Sequence, residues 1–179
     1  NGLNQELLLT SDGSPHLRKG RIDGVLTTVN FNGDPEKKLM SLKALQPDMP
    51  MMVMEFWPGW FDRWKEKHHV MAVEELKQKI NTVLTMNSSI NFYMFVGGTH
   101  FDFWNGASNI SKKYGPIVTS YDYDAPIGES GDTGEKYKML RDLFTQFKLV
   151  PEGLPPIPKN SPKRAYNAVN ISEYLDFDD

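Results

Sequence analysis

An α/β fold built on a parallel sheet is predicted by three features of this 179-residue chain. Short apolar runs of strand length recur along it, segments of helical periodicity lie between them, and polar or Gly-rich loops follow the runs. The hydrophobic content of 39% is enough for one ordinary core. The first run is Glu6–Thr10 and the second Val25–Asn30, and the stretch that joins them, Gly13–Arg21, carries no convincing helix. Asp34-Pro35-Glu36 then offers an N-cap, a proline suited to the first helical position and an early acid, leading into Leu39, Leu42 and Leu45. The third run, Met51–Phe56, follows the breaker Pro50. From Met71 to Met86 a helix is predicted, with Val73, Leu76, Ile80, Val83 and Leu84 on one face. Ile90–Phe95 is the fourth run, and a long loop follows it. Asp132-Thr-Gly-Glu135 reads as a capping-box variant opening a helix that carries Tyr137, Leu140, Leu143, Phe144 and Phe147. From Val150 the composition changes. Pro151, Pro155, Pro156, Pro158 and Pro162 predict an extended linker, and Ser172–Asp179 a mobile acidic tail.

Composition narrows the partners. A net charge of −3 without a basic cluster favours neither nucleic acid nor an anionic membrane. No apolar stretch approaches the ~20 residues of a membrane span. The chain has no cysteine, which removes disulfides and thiolate chemistry. Glycosylation acceptor patterns at Asn87-Ser-Ser, Asn109-Ile-Ser and Asn170-Ile-Ser lean towards a secretory or lysosomal route. Asn1 lies only a few residues from Leu7-Leu8-Leu9, with no initiator Met, and this reads as a piece cut from a longer protein.

The stretch Met51–Trp64 is the most informative. Its apolar run ends in one carboxylate, Glu55, followed at once by aromatics and Pro58-Gly59. A carboxylate at the tip of a buried strand is costly unless something uses or pairs it. One reading is a Glu paired with a basic residue. The other is a sugar site, because the C–H face of a pyranose stacks on indole while its hydroxyls bond to carboxylates, and Trp57, Trp60 and Trp64 crowd this segment. His68-His69, and His100 with Asp102, invite a metal reading, but adjacent histidines suit a surface loop better than a chelating face. Gly97-Gly98-Thr99 is too short for a phosphate cradle, and no nucleophile-elbow pattern supports Ser/His/Asp chemistry.

Four ordered motifs carry a family resemblance. Glu55-Phe-Trp-Pro-Gly-Trp-Phe-Asp-Arg-Trp64 resembles the nucleophile segment of glycoside hydrolase family 35, the β-galactosidases, and is nearest to the animal β-galactosidase-1-like members. Glu6–Asp12, Asn91–Thr99 continuing to Phe103–Ala107, and Thr119–Pro126 resemble further family segments in the family's order. The resemblance implies a partial TIM (β/α)₈ barrel. Residues 1–149 would hold strands five to eight as its C-terminal half, with Glu55 ending the seventh, and 150–179 would be a linker and tail towards a following domain. It implies retaining hydrolysis of terminal β-galactosides without metal or cofactor, with Glu55 as the nucleophile, for which polar neighbours should keep it ionised. Trp57, Tyr93, Tyr121 and Tyr123 match residues that shape the galactose pocket. The family's acid/base Glu follows an Asn, and no Asn-Glu pair exists in this chain, so that partner belongs with the missing N-terminal half of the barrel. Half a barrel leaves two open edges, so the piece alone is expected to be inactive and to be unstable, aggregate or pair. The alternative is a non-catalytic galactoside-binding or degenerate glycosidase-like protein. The sequence departs from the family pattern at Lys65 and Asp102, where glycine is usual, at His100, where Asn is usual, and in Gly128–Asp132. A side chain at Asp102 should narrow the pocket mouth, or alter the backbone if glycine's freedom was used there.

Overall fold

The structure, a computed structural model, describes residues 6–110 and 113–176. The predicted α/β class with a parallel sheet is what the chain adopts. Four strands pair in parallel in chain order: β1 (Asp12–Gly13), β2 (Val29–Phe31), β3 (Met52–Phe56) and β4 (Ser89–Phe92). Between β1 and β2 lie one 3-10 turn, Ser14–His16, and a four-residue helix, α1 (Leu17–Gly20). The other two crossovers are made by α2 (Pro35–Leu45) and α3 (Val73–Thr85), as parallel pairing requires. A last helix, α4 (Glu135–Gln146), packs beside α3. Leu39 and Leu42 of α2, Leu76, Ile80 and Val83 of α3, and Leu140 and Leu143 of α4 bury their stripes with Val29, Phe31, Val53 and Phe56 in one core. Among the described residues no helix is long and apolar enough to cross a membrane.

The first two apolar runs are less regular than predicted. Glu6–Thr10 forms only a single bridge, Leu9 to Leu26, and Leu7 and Leu8 are exposed because the run lies at the edge of the sheet. In Val25–Asn30 the ladder begins only at Val29; before it the Gln46 amide takes the place of a strand, accepting from Thr27 N–H at 3.1 Å and donating to Thr27 O at 2.8 Å. The fourth run stops at Phe92, and the Tyr93–Met94 peptide that follows is cis.

Of the two predicted N-caps, Asp34 holds its position and Asp132 does not, and neither side chain caps its helix. Asp34 precedes α2 in a left-handed conformation (φ 50°) and makes no capping bond, although Pro35 does occupy the start of the helix. Gly134, not Asp132, occupies the N-cap of α4. The Asp132 carboxylate instead accepts from Ser130 Oγ (2.8 Å) and Ser161 N–H (3.2 Å) and pairs with Lys163. Asn160 adds bonds to Thr133 N–H, Oγ1 and O at 2.9, 3.0 and 3.0 Å. Residues 154–176 contain no helix or strand, yet this part of the proline-rich stretch is fastened to the loop before α4.

The loop after β4 contains four short strands that the sequence reading did not foresee. These are β5 (Gly98–Thr99), β6 (Ala107–Ile110), β7 (Lys113–Pro116) and β8 (Ser120–Tyr121), with β5 antiparallel to β8 and β6 to β7. They contain no apolar run, and Tyr114 points to solvent. At the two positions where the resemblance expects glycine, Lys65 (φ 68°) and Asp102 (φ 49°) keep the left-handed backbone that glycine adopts without penalty. The backbone therefore retains the glycine-type shape, and Asp102 itself is exposed.

Candidate active site

Glu55 lies at the C-terminal end of β3, the end at which parallel α/β sheets bind ligands. A β-bulge aims it. Val53 and Phe56 are both fully buried in the same core, although residues three apart in a regular strand face opposite sides. The register shifts between Val53 and Phe56 against both neighbouring strands and takes up the extra residue. A bulge leaves ladder groups unpaired, and two asparagines bind them here. Asn30 Oδ1 accepts from Glu55 N–H at 3.1 Å, and Asn91 Nδ2 donates to Met54 O at 2.9 Å. Asn30, almost fully buried, also donates to Ser11 Oγ at 3.1 Å. Asn30→Ala would leave the Glu55 N–H without its partner. The expected cost is about 1–3 kcal/mol, the penalty of an orphaned buried donor, read as a lower urea midpoint.

The carboxylate meets an aromatic wall. Trp57 Nε1–H donates to Glu55 Oε2 at 2.9 Å and orients it. Trp57 packs edge-on against Trp60 (5.1 Å between centroids), and Trp60 lies 5.8 Å from Tyr123. Tyr123 contacts Tyr121 at 5.3 Å and, edge-on, Tyr93 at 5.6 Å, while the Tyr93 and Tyr121 hydroxyls are 3.4 Å apart. Burial, above all, pushes the Tyr121 and Tyr123 phenols above their ordinary range. For Tyr121 the Tyr93 hydrogen bond adds to it, and for both so does the Glu55 charge. They stay protonated at neutral pH and can donate hydrogen bonds. Trp57 also lines a cleft of about 430 Å³ together with Asn32, Asp34 and Lys38.

All five residues singled out in the sequence, Glu55, Trp57, Tyr93, Tyr121 and Tyr123, are thus brought into one neighbourhood. Trp64 is not among them; it is 66% exposed, with its N–H bonded to Pro116 O. Sequence reasoning missed the place of Trp60 inside the wall and the edge-on contact of His100 with Tyr121 (5.1 Å), whose Nε2 has no partner among the described residues. It also missed Asn30 and Asn91, for which the only available signal was an amide placed within an apolar run.

His68 and His69, both substantially exposed, bond to Asp62 at 2.5 Å and 2.8 Å from Nδ1, with His69 N–H also bonded to it at 2.9 Å. Among the described residues no group of three or more His, Asp or Glu side chains could hold a metal ion. Burial works against the Asp62 carboxylate, but the hydrogen bonds from His68 and His69 outweigh it and keep Asp62 below its usual range. The Asp62 hydrogen bond raises His68 against its burial, and the charges of Asp62, Asp122 and Asp124 add to that rise. His68 therefore stabilises the fold fully below its ordinary pKa, and this is lost as pH rises through its raised folded value. Asp62 contributes fully above its ordinary pKa and loses this as pH falls through its lowered one. The pair should be strongest between about pH 4 and pH 6.5. Urea midpoints of the wild type and His68→Gln should differ most in that window and converge at alkaline pH.

The strand-end carboxylate and its indole and phenol wall define a class: α/β proteins with an acidic group set against an aromatic cluster. The chain belongs to glycosyl hydrolases family 35, whose family model matches residues 1–147. It is 45% identical over 170 residues to human Beta-galactosidase-1-like protein 3, covering 95% of this chain and 26% of that relative. It is 44% identical over 172 residues to human Beta-galactosidase-1-like protein 2, covering 95% and 27%. It is 39% identical over 171 residues to human Beta-galactosidase, covering 93% and 24%. The chain thus spans about a quarter of the length of these relatives.

Proposed function

We propose that this chain is the nucleophile-bearing part of a retaining β-galactosidase-like glycoside hydrolase, forming strands five to eight of a (β/α)₈ barrel. The observation that carries the reading is Glu55, aimed by a bulge at the C-terminal end of a parallel strand into a wall of tryptophans and tyrosines. In a retaining mechanism the Glu55 carboxylate attacks the anomeric carbon and forms a glycosyl–enzyme ester, while a second carboxyl group ~5–5.5 Å away protonates the leaving oxygen. That second group then deprotonates the water that hydrolyses the ester. With no Asn-Glu pair in residues 1–179, we assign it to another segment of the full-length protein. The 179-residue chain alone is accordingly expected to turn over no galactoside. Trp57 offers a stacking face and the accessible phenols of Tyr93 and Tyr121 offer donors to sugar hydroxyls, while the buried Tyr123 backs them.

The test is covalent trapping. A 2-deoxy-2-fluoro-β-galactosyl donor with a good leaving group should label the full-length protein once, on the peptide containing Glu55. A label on a different carboxylate would sink the assignment. Galactose binding with neither label nor turnover would favour the galactoside-binding reading, which the His100 and Asp102 departures motivate.

A further inference from the structure

Lys136 is only 6% exposed although it lies in the first turn of a surface helix, α4. Its Nζ donates to Pro58 O and to Asp124 O, both at 2.8 Å, and pairs with the Asp124 carboxylate. Burial pushes the ammonium down against the pull of Asp124. A buried lysine is costly, and holding one particular arrangement of the chain is the best-supported use of such a pair.

What it holds is specific. Pro58 is three residues beyond Glu55, and Asp124 directly follows Tyr123. Tyr123 (φ 62°) and Asp124 (φ 50°) both adopt the left-handed backbone, which costs energy for residues other than glycine and persists only where surroundings impose it. The two segments touch through their backbones, since a Cβ on Gly59 would lie 2.0 Å from Tyr123 O. Asp124 Oδ2 also accepts from Met71 N–H at 2.7 Å, which ties in the start of α3. The ammonium therefore bridges the segment that follows the carboxylate and the turn that presents Tyr123.

We propose that Lys136 is a positioning residue for the aromatic pocket: its bonds press the strained Tyr123–Asp124 turn onto Pro58-Gly59 and so set Tyr123 relative to Glu55. This rests on the glycosidase reading. It adds a residue that touches no sugar and acts through the backbone of two pocket segments.

The test uses the full-length protein with Lys136→Met, Asp124→Asn, Tyr123→Phe and the double variant Lys136→Met/Tyr123→Phe. Thermal unfolding, near-ultraviolet circular dichroism and 4-nitrophenyl β-galactoside kinetics are measured on each. Folded Lys136→Met should lose on the order of a hundredfold in kcat with KM within about threefold, because a small misplacement costs rate more than binding. Adding Tyr123→Phe should then cost little more. Wild-type kcat in folded Lys136→Met, or losses that multiply fully in the double variant, would overturn the proposal. If Lys136→Met does not fold, Asp124→Asn carries the same test, since it retains an acceptor for Met71 N–H while removing the charge. If the wild type shows no turnover, the glycosidase reading fails separately, and the near-ultraviolet signal of the tyrosine–tryptophan cluster decides. Its loss with far-ultraviolet signal retained supports the positioning role, and an unchanged spectrum overturns it.

Discussion

Glu55→Ala in the full-length protein is expected to lower β-galactoside turnover on the order of 10⁴-fold or more, the scale of removing a covalent nucleophile. The fold should survive, because the bulge is pinned through backbone groups, Glu55 N–H to Asn30 and Met54 O to Asn91, which alanine retains. The side chain's own bond, from Trp57 Nε1–H, is the contact that disappears. Azide supplies the second arm of the experiment. Entering the space left by the carboxylate, it should attack the anomeric carbon from the nucleophile's side and yield an α-galactosyl azide with partial recovery of rate. Recovery without that product, or an undiminished rate in the variant, would remove Glu55 from the nucleophile's role.

Phe56→Ala is expected to cost about 3–5 kcal/mol, a large share of the ~5–15 kcal/mol that holds a typical domain together. Phe56 is fully buried and packs edge-on against Phe31 of β2 (5.8 Å) and Phe92 of β4 (6.0 Å). It therefore joins three strands at the level of Glu55. Truncating it removes the transfer free energy of the ring and opens a cavity that rigid strands on both sides cannot close. The urea midpoint should fall sharply with an unchanged slope. A loss below about 1 kcal/mol would show that the core at this level is loosely packed.

Much of the candidate site was legible because its residues are close in sequence to one another. Glu55 and Trp57 lie two apart, as do Tyr121 and Tyr123, and each pair sits in a distinctive local motif. The supporting groups were not legible, since their partners are far away in the chain. Asn30 meets Glu55 across 25 residues, Asn91 meets Met54 across 37, and Lys136 meets Pro58 across 78. Read locally, Lys136 is one more charged residue in a helical first turn, and nothing in its neighbours foretells burial. The predicted cap of α4 failed for a related reason. Asp132 had the right type and spacing for a helix start, but the chain near residues 160–163 reaches the same carboxylate and competes for it.

By itself the sequence determined the α/β class, the family, and the apolar stripes of three helices, because hydrophobic periodicity is a local property that one core satisfies. It also singled out one carboxylate, Glu55, and the rings of Trp57, Tyr93, Tyr121 and Tyr123 as candidates for a sugar site. Only the tertiary structure decided how they face one another. The bulge that reconciles Val53 with Phe56, the amides that pin it, and the buried ammonium that joins two loops all depend on backbone groups, which carry no sequence signature. Their pairing becomes visible only when the strands and helices are assembled.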